Sequence, residues 1–272
     1  MFKKVLVALD GLRLAETALP YAAELAHAVS SEELILLRVV EAGGSRGRRR
    51  ANKYLQDRAS AMVKSTNGAE PLAGRLVRMA ESIAVKAGRG TAASSILQFA
   101  EHNSADLIIV SSHGRSGVDR WLMGSIAEKV IRGSDVPVLV NKAVPDGAAH
   151  LPCLRRLLVP LDGSELAEGV LSSVEAFGRV PGNEVTLLYV EPAPDDRWGT
   201  VAAVPEGTPA WPGRHNHRDV VAYLESIAAN LEEAGLSVNA KVRAGNPSDQ
   251  IVEEARDGGF DLIVMSSHGR TC

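Results

Sequence analysis

Two stretches of this 272-residue chain occur twice. Val5-Leu6-Val7-Ala8-Leu9-Asp10-Gly11 returns as Leu157-Leu158-Val159-Pro160-Leu161-Asp162-Gly163, an offset of 152 residues (162 − 10). Asp106-Leu107-Ile108-Ile109-Val110-Ser111-Ser112-His113-Gly114-Arg115 returns as Asp261-Leu262-Ile263-Val264-Met265-Ser266-Ser267-His268-Gly269-Arg270, an offset of 155 (268 − 113). So steady an offset over so long a span requires a duplicated domain, because solenoid and propeller units repeat every 20–50 residues or so. The copies are unequal. After Ser-Ser-His-Gly-Arg the first copy runs on through Gly124-Ser125 and an apolar stretch, Val136 to Val140, whereas the second is followed only by Thr271-Cys272.

Each copy opens with a short apolar run closed by Asp-Gly, the pattern of a strand entering a turn. Leu14, Ala15, Ala18, Leu19, Ala22, Leu25, Ala26 and Val29 then recur at helical spacing. Leu34 to Val40 is apolar except for Arg38, as a strand covered on both faces requires. Helical spacing returns at Tyr54, Leu55, Ala59, Met62 and Val63, and a third strand is expected within 76–87. A helix follows over 91–101, a strand over 107–110, a helix from Ser125 to Arg132, and a last strand over 136–140. Gly43 to Arg50 reads as a glycine-rich basic loop, and Pro192 to Gly213 as irregular. In the second copy the expected strands are 157–161, 185–190, 238–242 and 262–265, with helices near 165–177, 219–234 and 248–256.

Strict alternation of strand and helix means β-α-β units with right-handed crossovers. The expected fold class is therefore α/β: two tandem doubly wound parallel-sheet domains, residues 1–143 and 154–272. The strand order is 3-2-1-4-5 in the first copy, with the last strand missing from the second. Ala143 to Leu154, rich in Pro, Gly and Ala, reads as the linker. Aromatic residues are only 4% of the chain, so both cores must be aliphatic. A net charge of −3 gives no general pull toward nucleic acid or membrane. Two cysteines cannot make a disulfide framework, and no apolar run approaches the roughly 20 residues of a membrane helix. A soluble, cytoplasmic protein is expected.

In such sheets ligands sit beyond the carboxyl ends of the strands, where the strand order reverses. Asp10 closes the first strand and Ser111 to Gly114 the fourth, which are neighbours at that point. Nine residues after Gly114, Gly124-Ser125 opens a helix. Glycine lets backbone N–H groups approach an anion, and a helix start adds unpaired donors and the positive dipole end. Two such turns facing one another would cradle phosphate.

At these residues the chain resembles a tandem universal stress protein. That family joins a strand ending in Asp-Gly-Ser to a later Gly-x2-Gly-x9-Gly-(Ser/Thr) loop, matched here by Ser111-x2-Gly114-x9-Gly124-Ser125. His113-Gly114-Arg115-Ser116-Gly117 and the run Trp121 to Val130 are similar to bacterial members. The resemblance covers nearly the whole chain and implies a fold like the adenine nucleotide alpha hydrolases. It implies ATP as ligand, with Mg2+, in the first copy. Asp10 would meet the nucleoside and the backbone near Val39 the adenine, with Gly114, Gly124 and Ser125 on the phosphates. Ala8, Leu9, Val110, Ser111, Arg115 and Ile126 would line the same cleft. Pro160, Asp162, Val190, Ser266 and Gly269 would form a weaker equivalent in the second copy. It further implies a nucleotide-dependent regulator of bacterial stress response, dimeric through its last strand, with no catalytic residues.

Two positions depart from the family pattern: Leu12 stands where Ser is usual, and Ser111 replaces the first loop glycine. Plainer roles remain open. Asp10 and Asp162 also suit local turns, and the glycines suit tight turns. His113 and His268 have no visible nucleophile or carboxylate partner. His215 and His217 lack further metal ligands, and Arg46, Arg48, Arg49, Arg50 and Lys53 read as a solvated loop rather than a nucleic-acid patch. A ligand-free interaction module and a weak ATPase are the rival functions; no Walker lysine motif or nucleophile elbow supports the latter.

Overall fold

A computed structural model describes residues 2–41, 45–64, 77–79, 83–85, 91–112, 123–142, 154–191 and 217–266. The chain divides into two compact units, Met1–Pro152 and Cys153–Cys272.

Unit 1 runs β1 (Lys4–Leu9), α1 (Arg13–Glu16), α2 (Ala18–Ala28), β2 (Glu33–Glu41), α3 (Ser45–Lys64), β3 (Val77–Met79), β4 (Ile83–Val85), α4 (Ala92–His102), β5 (Leu107–Ser111), α5 (Ser125–Gly133) and β6 (Val138–Asn141). Its parallel sheet is ordered β3-β2-β1-β5-β6, with β4 also on β2. That is the 3-2-1-4-5 arrangement, except that two short segments fill the third position. β3 pairs along Leu34 to Leu36 and β4 along Val39 to Glu41.

Side-chain alternation along the strands sorts the core into two layers. Leu6, Ile35, Leu37, Ile108 and Val110 pack with Ile96, Ala100, Ala127 and Val130 of α4 and α5. On the other face α2 packs against β1, and α3 against β2. Pro20, third in α2, has no N–H to donate and would clash with a continuous helix, so the chain breaks at Thr17. The break is sealed by Thr17, whose hydroxyl donates to Leu14 O at 2.6 Å.

Three expectations need correction. The basic segment is helix from Ser45, not loop. Arginine is a good helix former, and Ala51, Leu55, Ala59 and Met62 give α3 a buried stripe that carries the exposed arginines with it. Gly47 is tolerated within this helix. The last strand starts at Val138, leaving Pro137 just outside, where its carbonyl accepts from Ile108 N at 3.0 Å. Its lack of an N–H is harmless there.

Unit 2 runs β7 (Arg156–Leu161), α6 (Glu165–Glu168), α7 (Leu171–Gly178), β8 (Glu184–Glu191), α8 (His217–Glu233), β9 (Ser237–Ala244), α9 (Pro247–Asp257) and β10 (Leu262–Ile263). Its sheet is parallel and ordered β10-β7-β8-β9. β10 is the third correction, since pairing stops after two residues instead of reaching Met265. Ile263 and Met265 are 39% and 53% exposed, whereas their counterparts Ile108 and Val110, covered by α5, are at 0% and 4%. Pro192 to Gly213 falls outside the described residues.

One carboxylate per unit locks the sheet at its other end. Asp106 Oδ2 accepts from Lys3 N and Lys4 N, both at 2.8 Å, tying the start of β1 to that of β5. Its repeat counterpart Asp261 does the same for Arg155 N at 3.0 Å and Arg156 N at 2.9 Å. Among the described residues no helix is long and apolar enough to cross a membrane.

Candidate functional site

The residues singled out in the sequence meet at the carboxyl edge of the unit 1 sheet. Asp10 follows β1 and turns the chain: its Oδ1 accepts from Leu12 N at 2.8 Å, and Gly11 takes φ +87°, a conformation glycine adopts without strain. The local turn role is thus filled by one oxygen, while Oδ2 accepts no hydrogen bond among the described residues. Leu12 caps α1 with no side-chain bond. In unit 2, Ser164 is the cap that Leu12 cannot be. Its hydroxyl accepts from Ala167 N at 3.2 Å and donates to Asp162 Oδ1 at 2.6 Å.

Ser111 ends β5 with its hydroxyl turned inward, donating to Leu14 O at 3.3 Å. The next residue joins three elements: Ser112 N donates to Asn141 O at 2.9 Å, and Ser112 O accepts from Gly124 N at 2.7 Å. That last bond draws the start of α5 to the end of β5, beside β1. Gly124 is the cap of α5, with φ −59° and ψ 139°. These angles suit any residue, so its N–H serves the closure and glycine is not required by φ. Behind it, the first-turn N–H groups of Ser125, Ile126 and Ala127 have no acceptor within their helix. Ser125 is exposed and Ile126 is 47% exposed. Buried Asn141 braces the edge, its Nδ2 donating to Thr17 Oγ1 at 2.8 Å.

Ala8 and Leu9 lie in β1 and Val39 near the end of β2; Val39 and Val110 both face the α4–α5 layer. In unit 2, Pro160 lies in β7, Val190 in β8, and Ser266 just beyond β10. Gly114, Arg115, Gly269, His113 and His268 lie outside the described residues.

Sequence reasoning missed a polar cluster behind the Asp10 turn, although one signal was visible: Arg38 is the only charge between Leu34 and Val40. Arg38 lies opposite Leu9 and packs against Gly11; a Cβ there would fall 2.9 Å from Arg38 Nε and nearer still to its guanidinium carbon. The guanidinium sits over the Tyr54 ring, 5.0 Å from its centre, with Arg58 5.7 Å away. Arg58 pairs with Glu16 at 2.9 Å. Burial first, then the Glu16 charge, pushes the Tyr54 hydroxyl well above the ordinary tyrosine range. Unit 2 repeats the frame without the cations. Tyr189 stands at the register of Arg38 and meets Tyr223 edge-on at 6.4 Å, while the Tyr223 hydroxyl donates to Glu168 at 3.0 Å.

Elsewhere, a cleft of ≈ 280 Å³ on unit 2 is lined by Arg156, Thr186, Asn239, Lys241, Glu254 and Phe260. It lies away from the carboxyl ends of the strands and holds an internal ion-pair cluster. His217 opens α8, with Nδ1 3.1 Å from Glu191 Oε1. Among the described residues no three His, Cys, Asp or Glu side chains gather as a metal site.

The model of the universal stress protein family matches residues 1–142 and 154–271. Two universal stress proteins of Methanocaldococcus jannaschii are each 32% identical to this chain. One matches over 127 residues, 43% of this chain and 78% of its own length; the other over 146 residues, 52% and 83%. The crystal structure of a universal stress protein from Archaeoglobus fulgidus aligns with 97% of this chain and 86% of its own, at a TM-score of 0.66 and 18% identity. That likeness supports the fold alone. A duplicated parallel sheet, an Asp-Gly turn after the first strand of each copy, and a family model spanning both copies lead to one conclusion: the chain belongs to the universal stress protein family.

Proposed function

We propose that unit 1 binds an adenine nucleotide, with ATP as the ligand, and that occupancy regulates a stress response rather than driving catalysis. The observation that carries this reading is the closure of Gly124 N onto Ser112 O, which sets the first turn of α5 at the switch point beside Asp10. Free first-turn N–H groups and the positive helix end suit phosphate. Asp10 Oδ2 suits a ribose hydroxyl. The residues present therefore fit a nucleotide, and Mg2+ would arrive with its phosphates. The phosphate donors are then Ser125, Ile126 and Ala127, with Gly124 holding the loop closed.

Mass spectrometry of nucleotide released from freshly purified, denatured protein tests the ligand. Ser125→Ala is expected to weaken ATP binding about ten- to a hundredfold, the worth of one hydrogen bond to a charged group. Unchanged affinity would remove α5 as the phosphate site. A ligand-free interaction module is the second reading. Ser111 Oγ and Asp10 Oδ1 both satisfy the protein's own backbone, which favours it. Protein free of nucleotide and failing to bind it in calorimetry would decide for that reading.

A further inference from the structure

Among the described residues Arg38 is a cation without an anion. Its side chain is partly buried, and its Nε is shut off from solvent with no hydrogen-bond partner. Among the described residues it makes neither an ion pair nor a hydrogen bond; its one polar contact is the Tyr54 ring. Of the neighbouring carboxylates, Glu16 pairs with Arg58, and Asp10 spends one oxygen on Leu12 N. Burying a charge is costly unless something compensates it, and the face of an aromatic ring compensates only in part. Unpaired buried donors in a folded protein call for a reason.

The location supplies one. In the dinucleotide-binding members of this architecture, an arginine near the ribose accommodates a ribose 2′-phosphate. Arg38 lies toward the carboxyl end of β2, on the flank of β1 away from α5. β2 and β5 are each one strand spacing from β1, so the strand ends that carry the two groups stand about 10 Å apart. Tyr189 in unit 2 has no such charge.

Resting on the adenine-nucleotide reading above, we propose that Arg38 makes the unit 1 site selective for nucleotides carrying a second phosphate on the ribose, at O2′ or O3′. Arg38 would bind that group through its guanidinium while α5 holds the 5′-phosphate. The pairing is noncovalent and needs no co-reactant.

Calorimetry on the full chain with AMP, adenosine 2′,5′-bisphosphate and adenosine 3′,5′-bisphosphate tests this. One of the bisphosphates is expected to bind about tenfold more tightly than AMP, as a charge-assisted arginine–phosphate pair gives. Arg38→Gln is expected to erase that preference and leave AMP affinity within about twofold. A purely structural Arg38 would instead lower all three affinities together, which overturns the proposal. So does AMP binding with no preference for either bisphosphate, in the unaltered protein, whether or not the variant folds. If AMP, ADP and ATP all fail to bind, the adenine-nucleotide reading itself falls and this proposal falls with it.

Discussion

At the scale of single residues, duplication supplies its own controls. Leu12 and Ser164 occupy the same turn, and only Ser164 caps its helix. Leu12→Ser is expected to stabilise unit 1 by about 1 kcal/mol, the usual worth of an N-cap hydroxyl, measured as a higher urea midpoint at unchanged slope. Glu254 offers a pH test. It is 1% exposed and bonds Lys241 Nζ at 2.6 Å and the guanidinium of Arg243. Burial pushes its carboxyl up, but the hydrogen bonds and charges of Lys241 and Arg243 outweigh this and hold it below the ordinary glutamate value. A depressed carboxyl contributes stability that is present above its unfolded pKa, about 4.3, and is lost as pH falls through the folded value. Glu254→Gln should therefore destabilise the protein at pH 7, with the gap to the parent closing on acidification toward pH 3 in urea titrations. Neither Asp106 nor Asp261 was recognisable as a clamp, because their partners lie roughly a hundred residues back along the chain.

At the scale of elements, periodicity located nearly every strand and helix of both units, because parallel strands are apolar runs and covering helices carry a single stripe. It misjudged the start of α3, where a dense run of arginines looked like loop but rode on a good apolar face. It also merged β3 with β4. The site was half legible: the Asp10 turn and the Gly124-Ser125 helix start followed from local chemistry. The Arg38–Tyr54–Arg58–Glu16 cluster did not, since it joins four elements that no spacing rule connects. β6 carries a prediction of its own. Pro137 O and Asn141 O both face β5, so by alternation the Val138 and Val140 backbone groups face away from it. If two molecules pair edge to edge through β6, Val138→Pro removes an outward donor without breaking the β5 ladder. Sedimentation should then shift from dimer to monomer; a parent protein that is monomeric at micromolar concentration would end the idea.

At the scale of the molecule, the copies have diverged in equipment more than in fold. Unit 1 holds a closed β5–α5 junction and an arginine with no ion-pair partner among the described residues; unit 2 has tyrosine at the arginine's register and an exposed apolar strand end. Nucleotide titration should accordingly give about one site per chain, and a stoichiometry near two would show that unit 2 is also competent. The register of β1 bears on how the protein is made. Val5 pairs with Leu34 on one side and with Leu107 on the other, and the Asp106 clamp closes on Lys3 and Lys4. The central strand of the sheet thus leaves the ribosome first, yet one of its edges stays bare until β5 has followed it. At about 5–20 residues per second the nascent chain spends several seconds in that half-built state, its central strand open to wrong partners. Unit 2 meets the same delay, because one edge of β7 waits for β10, so each copy passes through a half-built sheet of its own.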